Sequence, residues 1–203
     1  MATLDDILTT QKNGVVAVNN LSQALNSFYN SYVYLSGENT SGTVTSTTAQ
    51  TIATGSGRFV SYTTVASGGS TTGLVYDSVS YATVTTAGDG VTATVKYSGV
   101  ANFVVGDRIS VVNVVPSGYN TTSATITAVN LTSSTVTYAN ATTGSMTTAG
   151  ILFKIFDVTT QRSLLLSSLS GTVGTFQIGA NFTNGLVVVP TTNQFVNLTF
   201  SLS

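Results

Sequence analysis

The first thirty-odd residues carry a single helical seam, and no other feature limits the architecture of the chain so strongly. Leu4, Ile7, Gln11, Gly14, Val18, Leu21, Leu25, Phe28 and Tyr32 fall at alternating steps of three and four. That spacing is the a/d seam of a heptad repeat about four heptads long. Leu8, Val15 and Tyr29 widen the stripe on one flank. Thr3 stands as the N-cap, Asp6 as a weaker form of the capping-box acid, and Asp5 suits the positive end of the helix. Ser36-Gly37 reads as the stop.

A helix from residue 3 to about 35 runs close to 50 Å at about 1.5 Å per residue. An element that long buries its stripe either on its own body, straight or broken at Asn13-Gly14, or against copies of itself. The seam reads as a parallel coiled coil, with Gln11 as a polar a-position residue that sets the register. Phe28 and Tyr32 are bulky for a two-stranded seam and suit a trimer. Gly14 is its weak point, because glycine costs about 1 kcal/mol against alanine in a helix. The oligomerisation seam is therefore expected at Leu4, Ile7, Gln11, Val18, Leu21, Leu25, Phe28 and Tyr32.

Beyond the helix the period changes to two, and here composition matters. Charged residues make up 6% of the chain against 42% hydrophobic, where an ordinary soluble domain carries about 25% charge. Hydroxyls and amides must keep the surface wet, and threonine's branched Cβ favours strands. After a Thr/Ser/Gly linker from Glu38 to about Gln50, alternation runs through Ile52, Phe59, Val60, Tyr62 and Val65, then a Gly68-Gly69 turn, then Leu74-Val75-Tyr76. The chain closes with Phe153–Val158, a Leu164-Leu165-Leu166 run, and strands at Thr175–Ile178, Gly185–Val189 and Phe195–Leu202. Between them lie evenly spaced short strands at Val91–Tyr97, Arg108–Val115, Ala124–Val129 and Thr135–Tyr138. The fold class expected is mainly β. An N-terminal helix over 1–37 precedes a β-sandwich over 38–87 and 151–203, interrupted at 88–150 by a small β-barrel or sandwich module.

Chemistry has little to work with. There is no His and no Cys, which removes the commonest general base, thiol nucleophiles and thiolate metal sites. Of seven acids, Asp77 and Asp157 are left as a candidate carboxylate pair for glycoside cleavage. Asp89 and Asp107 sit beside glycines in turns, where a Ca²⁺ loop is the less economical reading. Gly55-Ser56-Gly57-Arg58 lacks the Lys-Ser/Thr ending of a phosphate loop and reads as a turn before a strand. No enzyme activity and no cofactor are expected. A net charge of −1 with scattered Lys and Arg gives no nucleic-acid footprint. The acidic start lacks the basic and apolar regions of a signal peptide, and no apolar run is long enough for a membrane span. Tyr119 and Asn120, after Pro116-Ser117-Gly118, form a candidate contact loop. Tyr119 reads equally as an exposed recognition residue or as a corner residue tucked onto its own module.

The stretch Phe103-Val104-Val105-Gly106-Asp107-Arg108-Ile109-Ser110-Val111, with Val114–Thr121, Thr135–Tyr138 and Ala149-Gly150, is similar to a small β-module of phage tail and fibre proteins. It departs from that pattern at Thr121, where glycine is usual. The opening Leu4–Leu21, with Gly55–Val60, Thr72–Asp77 and Phe182–Val188, resembles short phage and prophage virion proteins that join an N-terminal helix to a β-sandwich. These resemblances imply a structural virion protein, assembled in the host cytoplasm. Its expected form is a homotrimeric fibre or spike of tail or head, with its β-modules exposed to host receptor or glycan. The alternative they imply is a capsid decoration or neck protein with an architectural role. The partners expected are copies of itself and other virion proteins.

Overall fold

The computed structural model describes residues 3–36, 40–45, 48–68 and 72–203. The expected stop at Gly37, the linker start at Glu38 and the second glycine of the Gly68-Gly69 turn lie outside them. The protein is mainly β with one N-terminal helix, α1 (Leu4–Ser36). The chain then forms β1 (Thr40–Val44), β2 (Gln50–Thr54), β3 (Gly57–Ala66) and β4 (Gly73–Asp77). Next come β5 (Ser80–Asp89), β6 (Thr92–Tyr97), β7 (Arg108–Val112), β8 (Thr121–Asn130), β9 (Thr135–Ala139), β10 (Thr143–Ser145), β11 (Ile151–Asp157) and β12 (Arg162–Ser163). The last four are β13 (Leu165–Leu169), β14 (Gly174–Phe182), β15 (Gly185–Val189) and β16 (Phe195–Leu202).

Two four-stranded antiparallel sheets form the first layers. The first sheet has the order β1-β16-β3-β14 and the second β13-β4-β15-β2. Apolar residues from both, including Phe59, Tyr62, Val75, Leu186, Val188, Leu198 and Phe200, make one buried cluster. Thr40–Val44, which the sequence places in a linker, is an edge strand paired to β16.

The remaining eight strands run β10-β5-β6-β9-β8-β7-β11-β12, and a further β5–β11 pairing closes six of them into an antiparallel barrel. Closure removes the sheet edges. Along β6, Ala93, Val95 and Tyr97 point into the barrel while Thr92, Thr94 and Lys96 face outward. Tyr81, Tyr97 and Phe103 pack ring against ring at 5.3–5.6 Å between centroids and fill one end. The barrel's hydrogen bonding takes in Ser80–Asp89 and Ile151–Asp157, so it reaches beyond residues 88–150 on both sides.

A third cluster lies between the barrel and the second sheet. Tyr76 and Val187 meet Phe153 and Ile155, and the Tyr76 and Phe153 rings stand 5.6 Å apart. The barrel therefore covers the outer face of the second sheet. Strand registers put Thr40, Thr54, Gly57, Asp77, Gly185 and Leu202 at one end of the two sheets. The helix and the barrel both join the sheets at that end.

Candidate assembly interface

The helix begins as the sequence dictates. The Thr3 amide and hydroxyl both donate to the Asp6 carboxylate at 2.8 Å, and the Asp6 amide donates back to the Thr3 hydroxyl at 3.2 Å. The Thr3 amide, ahead of its hydroxyl, holds the Asp6 carboxyl below the usual carboxylate range. From Leu4 to Tyr32 every residue is exposed. The expected seam residues Leu4, Ile7, Val18, Leu21, Leu25, Phe28 and Tyr32 present an apolar stripe to solvent, Leu4 at 81% and Phe28 at 71% exposure. Gln11 lies on the same face, where Gly14 leaves a notch bordered by Gln11, Val15 and Val18. A side chain at residue 14 would meet nothing within 4 Å. The helix touches the body at β3 and β16, and from Leu4 to Tyr32 its stripe stays exposed among the described residues.

In the second expected site the tyrosine does not face solvent. Tyr119 is fully buried in the barrel core, so of its two readings the structure takes the corner residue. Its hydroxyl donates to the Gly144 carbonyl, and its own carbonyl accepts the Tyr138 hydroxyl at 2.6 Å. Burial, with Tyr119 alongside, pushes the Tyr138 phenol up to about 12. Asn120 is half-buried; its amide side chain accepts the Val114 N–H at 2.9 Å and donates to the Val114 carbonyl at 3.1 Å. The loop that looked free in the sequence is stitched at both ends.

The acids singled out in the sequence all have partners within the fold. Asp77 is fully buried and binds Arg162, the Thr183 amide at 2.9 Å and the Asn184 amide at 2.8 Å. It thereby ties barrel strand β12 to the β14–β15 turn. Asp107 is fully buried as well, pairs with Lys154 at 2.7 Å, and accepts the Val104 and Val158 amides at 3.0 Å. Asp157 accepts the Thr159 and Thr160 amides at 2.8 and 3.1 Å. Partial burial pushes the Asp157 carboxyl up, but the Thr160 amide, Lys154 and the Thr159 amide outweigh it and hold it low. Asp89 caps its hairpin turn through the Thr92 and Val91 amides, which lower its carboxyl. Gly55, at φ +93°, makes the turn between β2 and β3.

A cavity of about 50 Å³ beside these pairs is lined by Ser78, Tyr81, Asn102, Lys154, Asp157 and Asn184. Asp157 lies in this lining with Lys154 at 3.5 Å, while Asp77 is not part of it. Nothing in the local sequence pattern announces the Asp77 clasp, since its partners lie 85 to 107 residues away. Among the described residues no group of three or more His, Cys, Asp or Glu could hold a metal ion, and no helix is long and apolar enough to cross a membrane. No protein-family model, no curated protein and no solved structure matches this chain.

Proposed function

We propose that the chain is a structural, non-enzymatic component of a bacteriophage particle, a homotrimeric fibre or spike of tail or head joined through its N-terminal helix. The observation that carries this reading is the stripe from Leu4 to Tyr32, apolar along its length and exposed along its length. A monomer gains nothing from a helix of 33 residues that buries none of this surface, whereas a three-stranded coiled coil buries it all at once. In this reading the two four-stranded sheets are a β-sandwich body, and the barrel is an added module. The phage assignment rests on the resemblance of the opening helix, the Gly106-Asp107 turn region and the Phe182-Thr183-Asn184-Gly185 turn to virion proteins. Its partners are copies of itself and other virion proteins, with the β-modules outward toward host receptor or glycan.

One observation favours a second reading, a decoration or neck protein with a purely architectural role. Tyr119, the aromatic expected to touch a host, belongs to the core. Antibody against the barrel, applied to purified particles of the phage that carries the gene and viewed by electron microscopy, tests both. Label on a projecting appendage supports the fibre reading, and label on the head shell or neck supports the architectural one. Particles without label and without the polypeptide contradict a virion role.

A further inference from the structure

We propose that the outer face of the first sheet is a second surface between copies of this chain, turned toward the symmetry axis beside the base of the helix bundle. The inference rests on the trimer reading and adds to it where the bodies meet. Three observations place the face there. The helix touches the body at β3 and β16, the two inner strands of the first sheet. Residues 37–39 alone separate Ser36 from Thr40, a tether that spans at most about 14 Å. A parallel bundle of three helices thus holds three copies of the Thr40–Gly57–Leu202 end close around one axis. The second sheet cannot be the side that faces inward, because its outer face carries the barrel through Tyr76, Phe153 and Val187.

The chemistry of the face agrees with self-contact. The strands β1, β16, β3 and β14 contain one charged residue, Arg58. Depletion of charge, rather than high apolarity, marks the core of an interface between folded partners. Outward positions alternate hydroxyl and amide groups with a few apolar side chains. Thr63 and Thr175 share a hydrogen bond at 2.9 Å across β3 and β14, while Val65 and Phe195 remain 53% and 40% exposed. The edge strands β1 and β14 bear no charge, the usual guard against unwanted pairing. A second copy seated here removes that exposure without bringing like charges together, apart from Arg58.

The chain has no cysteine, so single cysteines report without background. Asn197→Cys and Val65→Cys probe the face on adjacent strands, and Val91→Cys, on an exposed barrel turn, is the reference. The full-length variants are labelled with a maleimide and weighed by light scattering, with and without Leu21→Asp/Leu25→Asp to open the seam. The expected result is a trimer in which both face cysteines react at least about tenfold more slowly than Val91→Cys, because an interface core excludes solvent. In the seam-opened protein the two rates should become equal to the reference. A trimer whose face cysteines react as fast as the reference overturns this inference and leaves the helical trimer standing. Protection that persists in the seam-opened monomer also overturns it, since the cover then comes from the same chain. A wild-type monomer overturns both.

Discussion

Between Leu4 and Tyr32 every side chain is exposed, whereas the barrel buries Tyr119, Phe103, Tyr138, Ile109, Ile126 and Leu152 almost completely within itself. The two regions solve the same problem in opposite ways. Six strands close on one another, so the apolar side chains that point into the barrel find their partners inside 80–157. A lone helix has one stripe and no inner face, so its partners must come from outside. The comparison teaches that burial, not apolar content, separates self-sufficient from assembly-dependent segments here. It also says where a mutation is felt: in the barrel as lost stability, in the helix as lost association.

The largest effect is expected at the barrel corner. Tyr119→Ala removes a fully buried ring and should cost about 3–5 kcal/mol, read from the midpoint of urea unfolding. If the variant unfolds like the wild type, Tyr119 is no core residue. Next comes Asp107→Asn, which leaves the Lys154 ammonium short of its 2.7 Å partner in a buried setting. Losing one member of such a pair should cost about 3 kcal/mol in the same assay.

Alkali should sharpen the contrast in a different way. The phenol of Tyr138 is raised to about 12 in the folded chain, against about 10 when unfolded. A raised pKa means the folded state holds the proton more tightly. Its contribution is therefore complete below about pH 10 and is lost as pH climbs toward about 12. Ultraviolet titration should show the Tyr138 phenolate forming only as pH approaches about 12. Smaller still is Gly14→Ala, which should strengthen the helix by about 1 kcal/mol, seen as a higher thermal midpoint for the helical circular dichroism signal. Leu21→Asp/Leu25→Asp should leave the urea midpoint of the barrel unchanged, because neither side chain touches the body.

What the sequence disclosed follows the same division. The helix was legible from its period, and Thr3 and Asp6 from their spacing, because these are local properties. Most strands were legible by alternation: Arg108, Thr135, Gly185 and Phe195 begin strands where the pattern says they do. Pairing was not. Nothing within Ser80–Asp89 or Ile151–Asp157 says that these strands bond to each other and close a barrel, since the partner lies some seventy residues off. Tyr119 sits in a short 3-10 turn (Ser117–Tyr119) flanked by Pro, Gly and Asn, where the local pattern signals a loop and the tertiary fold overrides it. The Leu164-Leu165-Leu166 run stands in the sequence as one apolar stretch. It is the hand-over between β12 and β13, with Leu164 buried and Leu165 at 43% exposure. Asp107 read as a turn acid and Asp77 as half of a carboxylate pair; only folding reveals that Asp107 pairs with Lys154 inside the barrel and that Asp77 ties Arg162 to the β14–β15 turn.

The most direct measurement is the solution mass of the full chain beside Leu21→Asp/Leu25→Asp, by multi-angle light scattering, with the urea midpoint of each recorded in parallel. The account predicts three times the chain mass for the wild type, one chain mass for the variant, and the same barrel midpoint in both. A wild type at one chain mass would contradict it, leaving the exposed stripe to a partner other than the chain itself.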